Sequence, residues 1–196
     1  GLAAAYRFQQ EIARNQTPLE CVLLEGTNRF GGKIQTERFD GFIVEGGRIS
    51  VEGKNAFNRD PVKIIRIFRV AQSNGLDLHP RALELITRNL QRVTLIRENS
   101  EANQLFLEIL TCETGPEATL RLMNESGVFG QFVPDFGRVV AQMQFDMYHV
   151  YTTDEHTIRA IGLLHRIETG ALAGELPIAS EVVHKVQSRR ALYVAV

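Results

Sequence analysis

The chain has 196 residues, 44% of them hydrophobic and 23% charged, enough for one globular domain with a real core or for a domain with a small appendage. With 22 Lys and Arg against 23 Asp and Glu the net charge is −1, so no bulk field draws the chain to nucleic acid or to an anionic membrane. No apolar run approaches the roughly 18 residues of a membrane span, and the opening GLAAAYRFQQEIARN lacks the basic start and apolar core of a secretion signal.

Leu2 to about Asn15 is Ala-rich, with apolar residues at 2, 5, 8 and 12, which predicts a helix ended by Thr17-Pro18. Cys21 to Leu24 is a short apolar run of the size of a buried parallel strand, and Gly26 to Gly32 reads as a loop. Strands are predicted over Lys33–Arg38, Phe42–Glu45 and Arg48–Glu52, with Asp40-Gly41 as a hairpin turn. The period then changes to 3.6. Asp60-Pro61 predicts an N-cap and first helical residue, Ile64, Ile65, Phe68 and Ala71 one buried face, and Gly75 the stop. His79-Pro80 starts a second helix with Leu83, Ile86 and Leu90 on one face. Ala102 to Ile109 forms a third and Ala118 to Glu125 a fourth, closed by Gly127. VFGQFVPDF, residues 128–136, reads as a packed connector, and Val139 to about Met147 as helix. Asp154 is expected to cap a helix through Glu168, with Gly170 closing it, and Ser180 to begin another.

Cys21 and Cys112 stand in no CxxC or Cys/His cluster, and both read as buried thiols in a reducing compartment, with a disulfide as the minor alternative, so a cytoplasmic location is expected. The chain opens on Gly1 and stops at ALYVAV in mid-pattern. Both ends therefore read as cut, and cut faces predict exposed apolar surface and self-association.

Residues 1–47 carry a first motif. A helix opening at Gly1, a strand ending in the acidic Glu25 and the turn Arg29-Phe30-Gly31-Gly32-Lys33 have the spacing of a dinucleotide-binding unit, and Gly41 to Gly47 supplies a following strand. The stretch resembles the FAD-binding N-terminus of amine-oxidase-like flavoproteins, most closely the protoporphyrinogen oxidases. That resemblance implies that Gly1, Glu25, Arg29, Gly31, Gly32 and Lys33 line FAD, with Glu25 on the adenosine ribose. A helix, a strand and a hairpin cannot enclose so large a cofactor, so FAD is not expected to bind here.

Phe57 to Phe68, Glu101 to Leu110 and above all residues 123–164 resemble a second family. This is the bifunctional uridylyltransferase/uridylyl-removing enzyme that modifies the nitrogen-regulatory protein PII. The resemblance implies a helical region over 48–150, after a nucleotidyltransferase core, and the truncated start of an HD phosphohydrolase domain over 151–196. It also implies PII as partner and a divalent metal, Mg2+ or Mn2+. His156, in Asp154-Glu155-His156-Thr157, maps onto the first metal ligand of such domains. One imidazole cannot hold a catalytic metal, and no Gly-Ser turn followed by paired aspartates supplies the transferase site. Metal occupancy and activity of the chain alone are therefore not expected.

The remaining residues have plainer readings. His165 reads as structural or surface, His149 as packing, His79 as a helix cap and His184 as solvated. Asp135, Asp146 and Asp154 read as caps and surface residues, and Arg66 and Arg69 as a solvated face. The fold expected is mainly α: a helical C-terminal portion of about 145 residues, a short truncated Rossmann-like α/β piece at 1–47 and a β-hairpin. The simplest account is a fusion with its seam near residues 40–48, giving an inactive fragment of the PII-modifying enzyme. An FAD-dependent oxidoreductase fragment and a non-catalytic helical PII-binding module are the alternatives.

Overall fold

The structure, a computed structural model, describes Gln10 and residues 36–140 and 151–196. The expected helix over 2–15 (Gln10 apart, which is helical), the strand at 21–24, the loop at 26–32, Cys21, Asp146 and His149 lie outside the described residues.

Strand β1 (Thr36–Phe39), β2 (Phe42–Glu45) and β3 (Arg48–Ser50) form an antiparallel meander. Both connections are two-residue turns with positive φ at each residue: Asp40 at 47° and Gly41 at 76°, then Gly46 at 57° and Gly47 at 78°. That is the mirror-image turn whose twist matches paired strands, and Asp-Gly and Gly-Gly suit it. The glycines of EGG are thus explained by a hairpin. The described part of the expected dinucleotide fold is antiparallel, without the parallel β-α-β step.

Helix α1 (Ala56–Arg59) and α2 (Lys63–Asn74) carry the chain from β3 to β4 (Asp77–Leu78), which pairs parallel to β3. Neither α1 nor β4 was expected, because four and two residues carry no readable period. Asp60 and Pro61 do not take the cap and first helical positions expected of them: Val62 precedes the helix without a side-chain cap bond, and Asp60 Oδ1 accepts from the Val62 N–H at 3.1 Å in the turn before it. Gly75 stops α2 in the left-handed region, where the Leu76 N–H reaches back to the Ala71 carbonyl at 2.9 Å. Ile64, Ile65, Phe68 and Ala71 are all buried, with Ile67 and Val70 beside them.

His79 caps α3 (Pro80–Arg88), its Nδ1 accepting from the Arg81 N–H at 3.1 Å. The deepest face of α3 is Ala82, Leu85 and Ile86, while Leu83 and Leu90 are half-buried. The helix ends before Leu90, which opens a 3-10 segment, Leu90–Ile96. Next come α4 (Ser100–Leu110), capped by Asn99, and α5 (Glu117–Glu125). The expected connector at 128–136 is instead two short helices, α6 (Val128–Phe132) and α7 (Pro134–Val139). Their backbones touch: a Cβ added at Gly137 would lie 2.4 Å from the Gly130 carbonyl oxygen. The packing expected of that stretch is present, since Phe129, Phe132 and Phe136 are buried and Phe106 of α4 tilts against the first two.

After residue 150 come α8 (Thr153–Glu168), closed by Gly170, then α9 (Pro177–Val182), a 3-10 turn (Val183–Lys185) and α10 (Arg189–Ala195). The fold is mainly α with a small sheet near its start, as the sequence implies. One apolar core runs from Phe42 and Ile49 of the sheet through α2, α4 and α5 to Ile158, Ile161 and Tyr193. Each fully buried Ile or Phe in it contributes about 1.5–3 kcal/mol. Among the described residues, no helix is long and apolar enough to cross a membrane.

Candidate functional site

Polar side chains converge where α5 meets α8. Glu117, Arg121 and Asn124 recur at helical spacing and share one face of α5. Arg121 reaches across to Glu155 in the first turn of α8: Nη2 to Oε1 is 2.7 Å and Nε to Oε2 is 3.3 Å. The same Nη2 donates to Glu117 Oε1 at 2.9 Å. A guanidinium fork against two carboxylates fixes orientation as well as distance. The bond to Glu155, then that to Glu117, raises the Arg121 pKa above its ordinary value. One turn along α5, the Asn124 amide donates to Asp154 Oδ2 at 2.6 Å.

Asp154 is 6% exposed, so it is neither the helix cap nor the surface residue expected; Thr152 precedes the helix, and the buried carboxylate lies within its first turn. Two carboxylates there also meet the positive end of the helix dipole. Gly162 lets α8 come this close. A Cβ at that position would stand 2.2 Å from Glu117 Oε2 and 3.2 Å from Glu117 Cβ.

One turn beyond Gly162, His165 lies half-buried against Gly115, whose added Cβ would sit 3.5 Å from the imidazole. Its Nδ1 is buried and without a hydrogen-bond partner. His165, Glu117, Arg121 and Gly162 help line a cleft of about 270 Å³. Gly115 and Arg121 also line a second cleft of about 520 Å³ toward the end of α2 and β4. The structural reading of His165 holds, with packing against Gly115 as its content.

A second junction ties α10 to α8. Arg189 donates to both carboxylate oxygens of Glu168, with Nη2 to Oε2 at 2.9 Å, and its Nη1 donates to the Thr111 carbonyl at 2.8 Å. The Tyr193 hydroxyl, on a ring that is 1% exposed, donates to Glu168 Oε2 at 2.7 Å. Burial alone would raise the Glu168 pKa, but the bonds from Arg189 and Tyr193 outweigh it and hold the carboxyl below its ordinary range. Burial, then the Glu168 contact, pushes the Tyr193 phenol up.

The residues singled out in the sequence fare differently. Gly1, Glu25, Arg29, Gly31, Gly32 and Lys33 lie outside the described residues. His156 is exposed on the first turn of α8, with Tyr151 edge-on at 5.6 Å between ring centroids. Asp154 and Glu155 beside it face Asn124 and Arg121, and among the described residues no group of three His, Cys, Asp or Glu side chains could hold a metal ion. Arg66 and Arg69 are not a solvated face. Both are half-buried: Arg66 pairs with Asp60 at 3.2 Å and with Glu101, and Arg69 pairs with Glu108 at 3.2 Å, joining α2 to α4. His184 and Asp135 are exposed as expected. Cys112 is half-buried rather than buried, its Sγ 3.2 Å from Thr114 Oγ1. The Arg121 cluster was missed. The spacing of Glu117 and Arg121 was visible in the sequence, but nothing there named Glu155, 34 residues on, as the partner.

Residues 42–132 match the family model of the uridylyltransferase GlnD third domain. The bifunctional uridylyltransferase/uridylyl-removing enzyme of Rhodospirillum rubrum is 61% identical over 155 residues, 79% of this chain and 17% of that protein. The enzyme of the same name from Azospirillum brasilense is 60% identical over 190 residues, 92% of this chain and 20% of that protein. That from Erythrobacter litoralis is 49% identical over 190 residues, 96% of this chain and 20% of its own length. No solved structure matches the chain. Alignments this long leave too little outside them to omit residues 1–45, so the segment with the flavoprotein-like motif is itself similar to these enzymes, and a fusion seam near 40–48 is not needed. The chain is similar over most of its length to a bifunctional uridylyltransferase/uridylyl-removing enzyme, and it spans about a fifth of the length of the relatives it matches, which is what a fragment of such an enzyme would do.

Proposed function

We propose that the chain is a structural part of a bifunctional PII-modifying enzyme, and that its described helices form a hub that holds α8 and α10 in a fixed position on the third domain. The observation that carries this reading is the seam at Arg121. There one guanidinium binds a carboxylate on each of two helices, and the neighbouring carboxylate, Asp154, is buried against Asn124. These carboxylates are committed to partners and Gly162 closes the gap between the helices, so the arrangement positions elements rather than performing chemistry. In this reading the substrate is PII, and the parent enzyme uses a divalent metal, Mg2+ or Mn2+, toward which His156 supplies one ligand.

The test is a chimaera. The matching fifth of the Azospirillum brasilense enzyme is replaced by this chain, and attachment of UMP to PII and its release are measured. Both activities are expected to persist, and the chain alone is expected to show neither. A folded chimaera inactive in both directions, or UMP release by the isolated chain with Mn2+, would refute the proposal.

A further inference from the structure

Helix α10 and the elements just before it are held to the protein by little apolar burial. Among residues 171–196 the buried ones are Leu172 and Tyr193. Helix α9 buries no residue, its Ile178 is 78% exposed, and the Ser180 hydroxyl oxygen is buried without a hydrogen-bond partner. Helix α2, of similar chain length to α9 and α10 together, buries Ile64, Ile65, Ile67, Phe68, Val70 and Ala71. Apolar burial is the main resistance to local opening, so residues 177–196 have much less of it than the core helices.

What holds them is gathered at one point. Arg189 and Tyr193 stand four apart, so one face of α10 carries both. The guanidinium lies 5.3 Å from the centroid of the Tyr193 ring, and both side chains donate to Glu168. Arg189 also donates to the Thr111 carbonyl, at the C-terminal end of α4. Among the described residues, each side-chain hydrogen bond from 171–196 to a residue outside that segment ends on Glu168 or Thr111. Glu168 is the last residue of α8, where a carboxylate opposes the helix dipole. Arg189 supplies the cation that offsets this, so the docking of α10 and the integrity of the last turn of α8 are coupled through one carboxylate.

We propose that α9, the 3-10 turn and α10 form a strap, latched at Glu168 by Arg189 and Tyr193, which opens as one unit while the core of α2, α4 and α5 stays folded. The last turn of α8 loosens with it. The closed strap is the position of α10 that the hub reading names, and opening is a step beyond that reading. Exchange measures opening and the chimaera measures activity, so either can fail without the other.

The test is amide hydrogen exchange of the 196-residue chain, followed by NMR, in urea concentrations below the unfolding range. Amides of α9 and α10 are expected to exchange more than about 10-fold faster than those of α2 and to depend weakly on urea, the mark of an opening that exposes little surface. Amides of α2 are expected to depend steeply on it. Arg189→Gln removes a charge-assisted pair and is expected to speed exchange in α9, α10 and residues 165–168 by about 10- to 100-fold. Tyr193→Phe keeps the buried ring and is expected to do the same by a smaller factor. Exchange of α9 and α10 as slow and as steeply dependent on urea as that of α2 would overturn the proposal. So would exchange unchanged in both folded variants, as simple fraying gives, or residues 165–168 unmoved while α10 speeds up.

Discussion

Gly162→Ala sets two effects of opposite sign against each other. Within a helix, Ala is favoured over Gly by about 1 kcal/mol, so propensity alone predicts stabilisation. The new methyl, however, would lie 2.2 Å from Glu117 Oε2, 2.9 Å from its Cδ and 3.2 Å from its Cβ. The carboxylate can swing away, but it then gives up its 2.9 Å bond to Arg121, a partly exposed pair worth about 0.3–0.5 kcal/mol. The contact with Cβ cannot be relieved by rotating the side chain, so α5 and α8 must separate by a few tenths of an ångström. Such overpacking costs about 1–3 kcal/mol and also stretches the Arg121–Glu155 fork. The net expectation is destabilisation by about 1–2 kcal/mol, a fall in Tm of roughly 2–8 °C for a chain of this size. The chain has no tryptophan, so thermal melts are followed by circular dichroism at the helical band. In a double-mutant cycle with Glu117→Ala, the second substitution is expected to recover part of the loss. A Tm that rises in Gly162→Ala, or no coupling to Glu117, would show that the helices are not in contact there.

Substitutions at three other positions probe the same architecture. Asn124→Ala leaves the Asp154 carboxylate buried without its amide donor and is expected to cost about 1.5–3 kcal/mol by chemical denaturation, whereas Asn124→Asp is expected to cost more at neutral than at acidic pH. Glu168 has a depressed pKa in the folded chain, so folding is coupled to its ionised form. Its contribution is fully present above the ordinary value of 4.5 and is lost as pH falls through the lower folded value. Glu168→Gln is therefore expected to be less stable at neutral pH and to lose less stability on acidification, as read from denaturation midpoints across that window. Gly137→Ala would drive a methyl to 2.4 Å from a backbone carbonyl that cannot rotate away, and is expected to lower Tm more than Gly162→Ala, where the obstacle is a side chain.

The parts of the fold that the sequence revealed are those in which one element carries its own signal. Ile64, Ile65, Phe68 and Ala71 mark a buried face by spacing alone, and all four are buried. Asp40-Gly41 specifies its turn through the positive φ that it tolerates, and His79-Pro80 specifies a helix start through a side-chain acceptor and a residue without an N–H. Strand β4 carries no such signal. Two residues join the sheet because the Asp77 and His79 N–H groups meet the Gly47 and Ile49 carbonyls, and those partners lie some 30 residues earlier in the chain. Helices α6 and α7 were hidden for a related reason. Gly130, Gly137 and Pro134 argue against helix locally, while the contact that makes the two glycines necessary exists only once both helices have formed.

The seam at Arg121 separates what spacing can show from what only packing decides. Glu117 and Arg121, four apart, announce a pair on one helix, and such a pair would be worth little at an open surface. The arrival of α8 changes its meaning, because Glu155 then competes for the same guanidinium and Asp154 leaves solvent to meet Asn124. The sequence reading placed Asp154 at the surface because a carboxylate before a helical run most often caps it. In the structure the first helical turn itself faces another helix, so burial and a donor 30 residues earlier decide its role. Arg66 and Arg69 repeat the lesson on α2, where cations that looked solvated meet carboxylates of α4 and, in the case of Arg66, Asp60 as well. In this chain, charged residues at helical spacing marked where helices would be joined.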